Sequence, residues 1–118
     1  MKAFPSLTVA SGDGKTVKMC TAGSIVQLIA GEGFEKMNAT DVHAAFITAN
    51  GPVWEDTKNK ANGKFMVTVP KGVAGQSYVV LTKENKQATD DSIVAGPAII
   101  EVWLLFSFFI SSSYIEIN

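Results

Sequence analysis

Apolar and polar positions alternate in short runs through most of this chain, and each run ends on a turn signal. The sharpest run is Lys64 to Val69. Phe65, Val67 and Val69 point one way there, and Met66 and Thr68 the other. A period of two marks a strand with one buried face. Pro70 closes the run, because proline cannot donate to a ladder. Ser77 to Lys83 repeats the pattern, with Val79 and Leu81 on one face and Tyr78 and Val80 on the other. Ile93 to Val102 is a longer apolar run bent by Gly96-Pro97, which predicts an edge strand with a bulge at that point. Lys15 to Cys20, Ser24 to Ala30 and Val42 to Ala49 are further strand candidates. Phe34 to Met37 predicts a short helical turn or loop before the third of these.

Glycine and asparagine set the spacing. Gly12-Asp13-Gly14, Ala22-Gly23, Gly31-Glu32-Gly33, Asn50-Gly51-Pro52, Asn62-Gly63, Gly72 to Gly75 and Gly96-Pro97 separate the runs. Asn62-Gly63 is a strong tight-turn signal, and Asn50-Gly51 resembles it. Many short strands with regular turn signals predict an all-β chain. The expected architecture is an immunoglobulin- or fibronectin-like β-sandwich of about seven strands. Gly75-Gln76-Ser77-Tyr78 opens a strand after a turn, which makes Tyr78 the candidate for a tyrosine corner, its hydroxyl bonding backbone across the turn.

The pattern changes near the end. Residues 103–118 hold five of the eleven aromatic residues and one charge, Glu116. The sequence therefore divides into a body, 1–102, and an apolar tail, 103–118. The apolar run 102–110 is far shorter than the roughly 20 residues of a spanning helix, so a membrane role is not expected. The tail reads as a strand extension, a partner-binding segment or a non-native continuation. Lys2 followed by a short stretch interrupted by Pro5 does not make a convincing signal peptide.

Composition narrows the chemistry. The chain has 118 residues, 47% hydrophobic and 18% charged, enough for one domain with a real core. Its ten basic residues are all lysine, and against eleven acids the net charge is −1. Without arginine forks or a basic excess, nucleic acid is not an expected partner. One cysteine, Cys20, excludes an internal disulfide and a thiolate zinc site. One histidine, His43, excludes multi-histidine metal sites.

Four further features have a chemical reading and a plainer one. Gly12-Asp13-Gly14-Lys15-Thr16 ends like a phosphate loop, but Val9 stands where the first glycine belongs, so a hairpin turn is expected. His43 with Asp41 or Cys20 could serve a hydrolase, yet the orienting group and oxyanion site of such a centre are not visible. Asp90-Asp91 with Asp13 or Glu84 could meet calcium, though no loop supplies a regular series of oxygens. No cofactor is therefore expected. Trp54 beside the Asn50 turn could stack on a sugar ring, or pack on the sandwich rim. Asn38-Ala39-Thr40 is a glycosylation sequon, which matters only for a secreted chain.

Three segments carry a family resemblance: Ala45 to Val53, Val69 to Thr82 with its Gly-Gln-Ser-Tyr-Val-Val-Leu-Thr run, and Asp90 to Val102 with Ala-Gly-Pro-Ala. They resemble a β-rich module of small secreted fungal proteins. A similar module closes the fungal ferritin-like proteins linked to stress response and sexual development. The resemblance spans roughly Leu7 to Val102. It implies an extracellular or wall-associated setting and no enzymatic residues, and no iron ligand is matched here. The first expectation is therefore a non-enzymatic structural or protein-binding module in the extracellular space or cell wall. The alternatives are a carbohydrate-binding module centred on Trp54 and Asn50, with wall polysaccharide as partner, and a hydrolase using His43. Oligomeric state is left open.

Overall fold

A computed structural model describes residues 4–37, 41–61, 63–83 and 92–103. Nine strands appear there: β1 (Leu7–Ala10), β2 (Met19–Thr21), β3 (Ile25–Ala30), β4 (Val42–Thr48), β5 (Gly51–Asp56), β6 (Lys58–Ala61), β7 (Lys64–Thr68), β8 (Gly75–Lys83) and β9 (Ile93–Trp103). A 3₁₀ turn, Phe34–Met37, lies between β3 and β4, as the sequence suggests. The first sheet has the order β1-β3-β7-β6 and the second β2-β9-β8-β4-β5.

Setting β2 and β5 aside leaves four strands facing three. That is the framework of an immunoglobulin-like sandwich, and the fold class read from the sequence holds. β5 adds an edge strand next to β4, as in variable-type domains. β2 runs parallel to the end of β9, whereas the other strand pairs are antiparallel.

Side-chain alternation builds the core. Val26 and Leu28 of β3 sit opposite Val67 and Phe65 of β7. From the second sheet, Ala44 and Phe46, Val79 and Leu81, and Ile100 and Val102 face them. Phe46, Leu28 and Leu81 are fully buried, and each such side chain contributes about 1.5–3 kcal/mol relative to an exposed position. Phe34 brings its ring edge-on to Phe65 at 5.6 Å and closes one end.

Two connections depart from the sequence reading. The turn between β4 and β5 has Ala49 and Asn50 at its centre, since Thr48 pairs with Gly51. The Thr48 hydroxyl fastens it, donating to the Gly51 carbonyl at 2.8 Å and accepting from the Asn50 N–H at 3.1 Å. The chain then leaves the second sheet at Asp56 and enters the first at Lys58. Thr57 makes that step, and its hydroxyl donates to the Val42 carbonyl at 2.5 Å.

The bulge expected at Gly96-Pro97 is present, but β9 is not an edge strand. Between Val79↔Ala98 and Leu81↔Ala95, Val80 faces both Gly96 and Pro97. A second shift before Thr82↔Ile93 lets the adjacent Val94 and Ala95 both enter the core. The Gly96–Pro97 peptide is cis, and Gly96 has φ +108°. A Cβ there would lie 2.8 Å from the Val79 carbonyl oxygen, so only glycine fits. β9 also runs one residue past the boundary read from the sequence, because Trp103 pairs with Thr21. Residues 104–118 lie outside the described residues.

Candidate functional site

The two faces of the second sheet follow from strand phase. Residues in register across a ladder share a face. His43, Ala45 and Ile47 of β4 point away from the core, with Asp56, Trp54 and Pro52 beside them on β5. On the other side they meet Thr82, Val80 and Tyr78 of β8. Tyr78 then pairs with Ile99, and Gln76 with Glu101. Met19 lies beside Glu101, and Thr21 beside Trp103. The outer surface is therefore a continuous set of rows across five strands.

That surface is unusually apolar. Met19 is 54% exposed, Tyr78 44%, Ile99 55% and Trp103 52%. Ile47 and Trp54 are half-buried on the same face, and Ala45 and Val80 are buried between their larger neighbours. A single exposed apolar residue needs no explanation, but a cluster does. Polar side chains interrupt it at His43, Asp56 and Thr82 toward one end and beside β9 toward the other. Lys18, Gln76 and Glu101 line, with Ile99 and Ile100, a shallow groove of about 400 Å³.

The residues read from the sequence fall at several points of this frame. Trp54 lies on the edge strand β5 opposite Ala45. Asn50 is exposed at the tip of the same hairpin, where its backbone serves the turn. Tyr78 is not a tyrosine corner. It occupies an outward position of β8, and its hydroxyl makes no hydrogen bond among the described residues, whereas Ser77 and Val79 on either side point inward. Ser77 is the residue that ties β8 across, its hydroxyl donating to the Ile47 carbonyl at 3.3 Å. Asn38, Glu84, Asp90 and Asp91 lie outside the described residues, so the sequon and the calcium reading fall there.

His43 does acquire carboxylates. Its Nε2 is 3.2 Å from Asp41 Oδ2. Its Nδ1 is 3.5 Å from Asp56 Oδ1, outside hydrogen-bond geometry, and is buried without a partner. Thr82 Oγ1, on the neighbouring strand in register with His43, is also buried and unbonded. Each such orphan costs about 1–3 kcal/mol. Cys20 is a different matter. It faces the core from β2, with β9 and β8 between it and β4. Three strand spacings of about 4.8 Å separate them by about 14 Å across the sheet, on opposite faces, and their register positions on β8, Gly75 and Thr82, lie far apart along it as well. Burial also pushes the Cys20 thiol above its usual value, away from the thiolate a nucleophile needs. The Cys20–His43 pairing is thus removed.

No three His, Cys, Asp or Glu side chains among the described residues are placed to hold a metal ion. The Gly12-Asp13-Gly14 segment is a turn, not a phosphate cradle. Ser11 N–H donates to Lys15 O at 2.8 Å, and Gly14 N–H to Ser11 O at 2.9 Å. The Ser11 hydroxyl donates to the Asp13 carboxylate, and the Lys15 N–H reaches it at 3.2 Å. Together they hold the Asp13 carboxyl below the usual range. No described helix is long and apolar enough to cross a membrane.

Comparison with known proteins agrees with the topology. The crystal structure of the Lin-41 filamin domain matches with a TM-score of 0.50 at 13% identity, over 86% of this chain and 98% of that one. The fold is similar to that of a filamin domain. At this identity the likeness carries fold and nothing more. No family model matches the chain, and no curated protein matches it. The filamin-like frame leaves the outer surface of β2, β9, β8 and β4 as the feature that packing within the described residues does not explain. Sequence reading missed it, because Met19, Ile99 and Trp103 become neighbours only when β2 and β9 are laid side by side.

Proposed function

We propose that this chain is a non-enzymatic β-sandwich module that docks a protein partner through the outer face of its five-stranded sheet. One observation carries the reading: Met19, Tyr78, Ile99 and Trp103 stand about half exposed on three strands of one face. Aromatic residues and methionine are favoured at interface centres, with polar groups at the rim. Here Lys18, Gln76 and Glu101 supply polar groups beside the apolar cluster. Burying such a surface releases about 25 cal/mol per Å² of apolar area, and the surplus over ordering costs gives affinity. His43 has an acid partner at Asp41 but no nucleophile bonded to it among the described residues, which supports a binding role over hydrolysis. The likeness of three segments to small secreted fungal proteins supports an extracellular or wall-associated setting.

The test is affinity capture with wild type, Ile99→Asp and Lys36→Asp. Ile99→Asp places a charge in the apolar cluster, and Lys36 lies on the 3₁₀ turn away from the face. Capture that Ile99→Asp abolishes and Lys36→Asp preserves, with both variants folded by circular dichroism, supports the reading. Equal capture by all three proteins overturns it.

A further inference from the structure

His43 is a titratable side chain that the docking role leaves unused. It is only 15% exposed and stands between two carboxylates. Asp41 Oδ2 lies 3.2 Å from Nε2, and Asp56 Oδ1 lies 3.5 Å from Nδ1. Asp41 precedes β4, whereas Asp56 ends β5, in register with His43. On the other side the row continues to Thr82 of β8, whose hydroxyl is neutral and unbonded. Glu55 and Lys83 pair with Ala44 and Val42, so their side chains take the opposite phase. Among the described residues, the charged groups that face the ring are therefore both acids.

The two protonation states of the ring differ in what they leave unsatisfied. A neutral imidazole has one N–H. With that proton on Nε2, toward the nearer Asp41, the Nδ1 lone pair faces the Asp56 carboxylate and stays buried without a donor. An imidazolium has two N–H groups, and each then meets a carboxylate. Asp56 is 88% exposed, so a small rotation of its side chain brings it to hydrogen-bond distance.

From this geometry we infer that His43 is a proton-controlled latch on the β5 edge of the five-stranded sheet. A proton on Nδ1 ties β4 to Asp56 and tightens β5, and loss of that proton releases the tie. Imidazole is the side chain that ordinarily changes charge between about pH 5 and 8. The latch is therefore closed in mild acid, and its contribution is lost as pH rises. β5 is the strand on which such a tie acts, since it pairs on one side only and carries Trp54. Strands held on one side open more readily than central ones. The Thr57 hydroxyl bond to the Val42 carbonyl fastens the same corner without a titrating group. The latch thus adjusts how firmly β5 is held and does not create the strand.

The experiment is amide hydrogen exchange of the full chain, read as protection factors at about pH 5.5 and about pH 8. Protection factors remove the intrinsic pH dependence of exchange. The β7 amides give the internal reference, because β7 lies between β3 and β6 in the other sheet. In wild type the β5 amides are expected to gain about threefold protection over β7 at the lower pH, the scale of an ion pair with one exposed member. Asp56→Asn and His43→Gln each abolish that gain. Glu55→Gln, on the opposite phase of β5, keeps it. A β5-to-β7 ratio that does not change with pH in wild type overturns the inference, as does a gain that survives in Asp56→Asn. If His43→Gln fails to fold, Asp56→Asn decides by itself, since its exposed position puts no core contact at risk.

Discussion

Replacing Gly96 with alanine should be among the most damaging single changes to a residue without a side chain. Two costs combine. Gly96 has φ +108°, a region that costs an L-residue about 1–3 kcal/mol. The new Cβ would also lie 2.8 Å from the Val79 carbonyl oxygen and 3.2 Å from Val80 Cα. Those are backbone atoms of the neighbouring strand, so relief requires β8 and β9 to separate at the bulge. Losing one or two ladder hydrogen bonds adds about 1 kcal/mol each. The total is about 2–5 kcal/mol, a large share of the 5–15 kcal/mol of a typical domain. Gly14 provides the control. Its φ is +89°, but a Cβ there meets nothing within 4 Å. Gly14→Ala should therefore cost only about 1–2 kcal/mol, from the backbone alone. At roughly 4 °C per kcal/mol for a chain of this size, Gly96→Ala lowers Tm by about 8–20 °C and Gly14→Ala by about 4–8 °C. Thermal and urea unfolding followed by circular dichroism measure both. If Gly96→Ala is no more damaging than Gly14→Ala, the close approach of β8 and β9 at the bulge is wrong.

Phe46→Ala should cost about 3–5 kcal/mol by urea titration, since the ring is fully buried between the sheets; a loss under 1 kcal/mol would place it outside the core. Tyr78→Phe should change stability by less than about 0.5 kcal/mol, because an exposed hydroxyl without a partner contributes little. A clear loss in that variant would restore the corner role rejected above. Burial of Cys20 makes a pH prediction. A thiol held above its ordinary value of 9.0 in the folded state leaves stability intact below that pH. The contribution is then lost as pH rises through the folded value, because the unfolded chain ionises first. Stability should fall above pH 9.0 more steeply in wild type than in Cys20→Ala, and parallel curves would refute the burial.

The sequence conveys the fold class through strands with one buried face. Phe65, Val67 and Val69 alternate cleanly because one side of β7 meets the core and the other meets water. β6 is invisible in sequence, since Lys-Asn-Lys-Ala has no apolar face and exists as a strand only through its pairing with β7. β5 is masked by Pro52 and by Glu55-Asp56, which an edge position tolerates. β1 looks like a weak leader, and its alternation has meaning only once it pairs with β3. For Tyr78 the phase in β8 already points outward, and that signal outweighs the corner motif. The docking face depends on neighbours from β2, β4, β8 and β9, and hydrophobic periodicity within one strand does not report them. The hydrolase reading fails at Cys20 for the same reason. Two reactive types in one chain say nothing about which side of a sheet each occupies.

Site-directed photo-crosslinking tests the central claim most directly. A benzophenone amino acid placed at position 99 samples the middle of the apolar face, and one placed at position 36 samples the 3₁₀ turn. The docking account predicts a discrete protein adduct from position 99, competed away by unlabelled wild type, and none from position 36. Equal labelling from both positions, or no adduct from position 99, contradicts it.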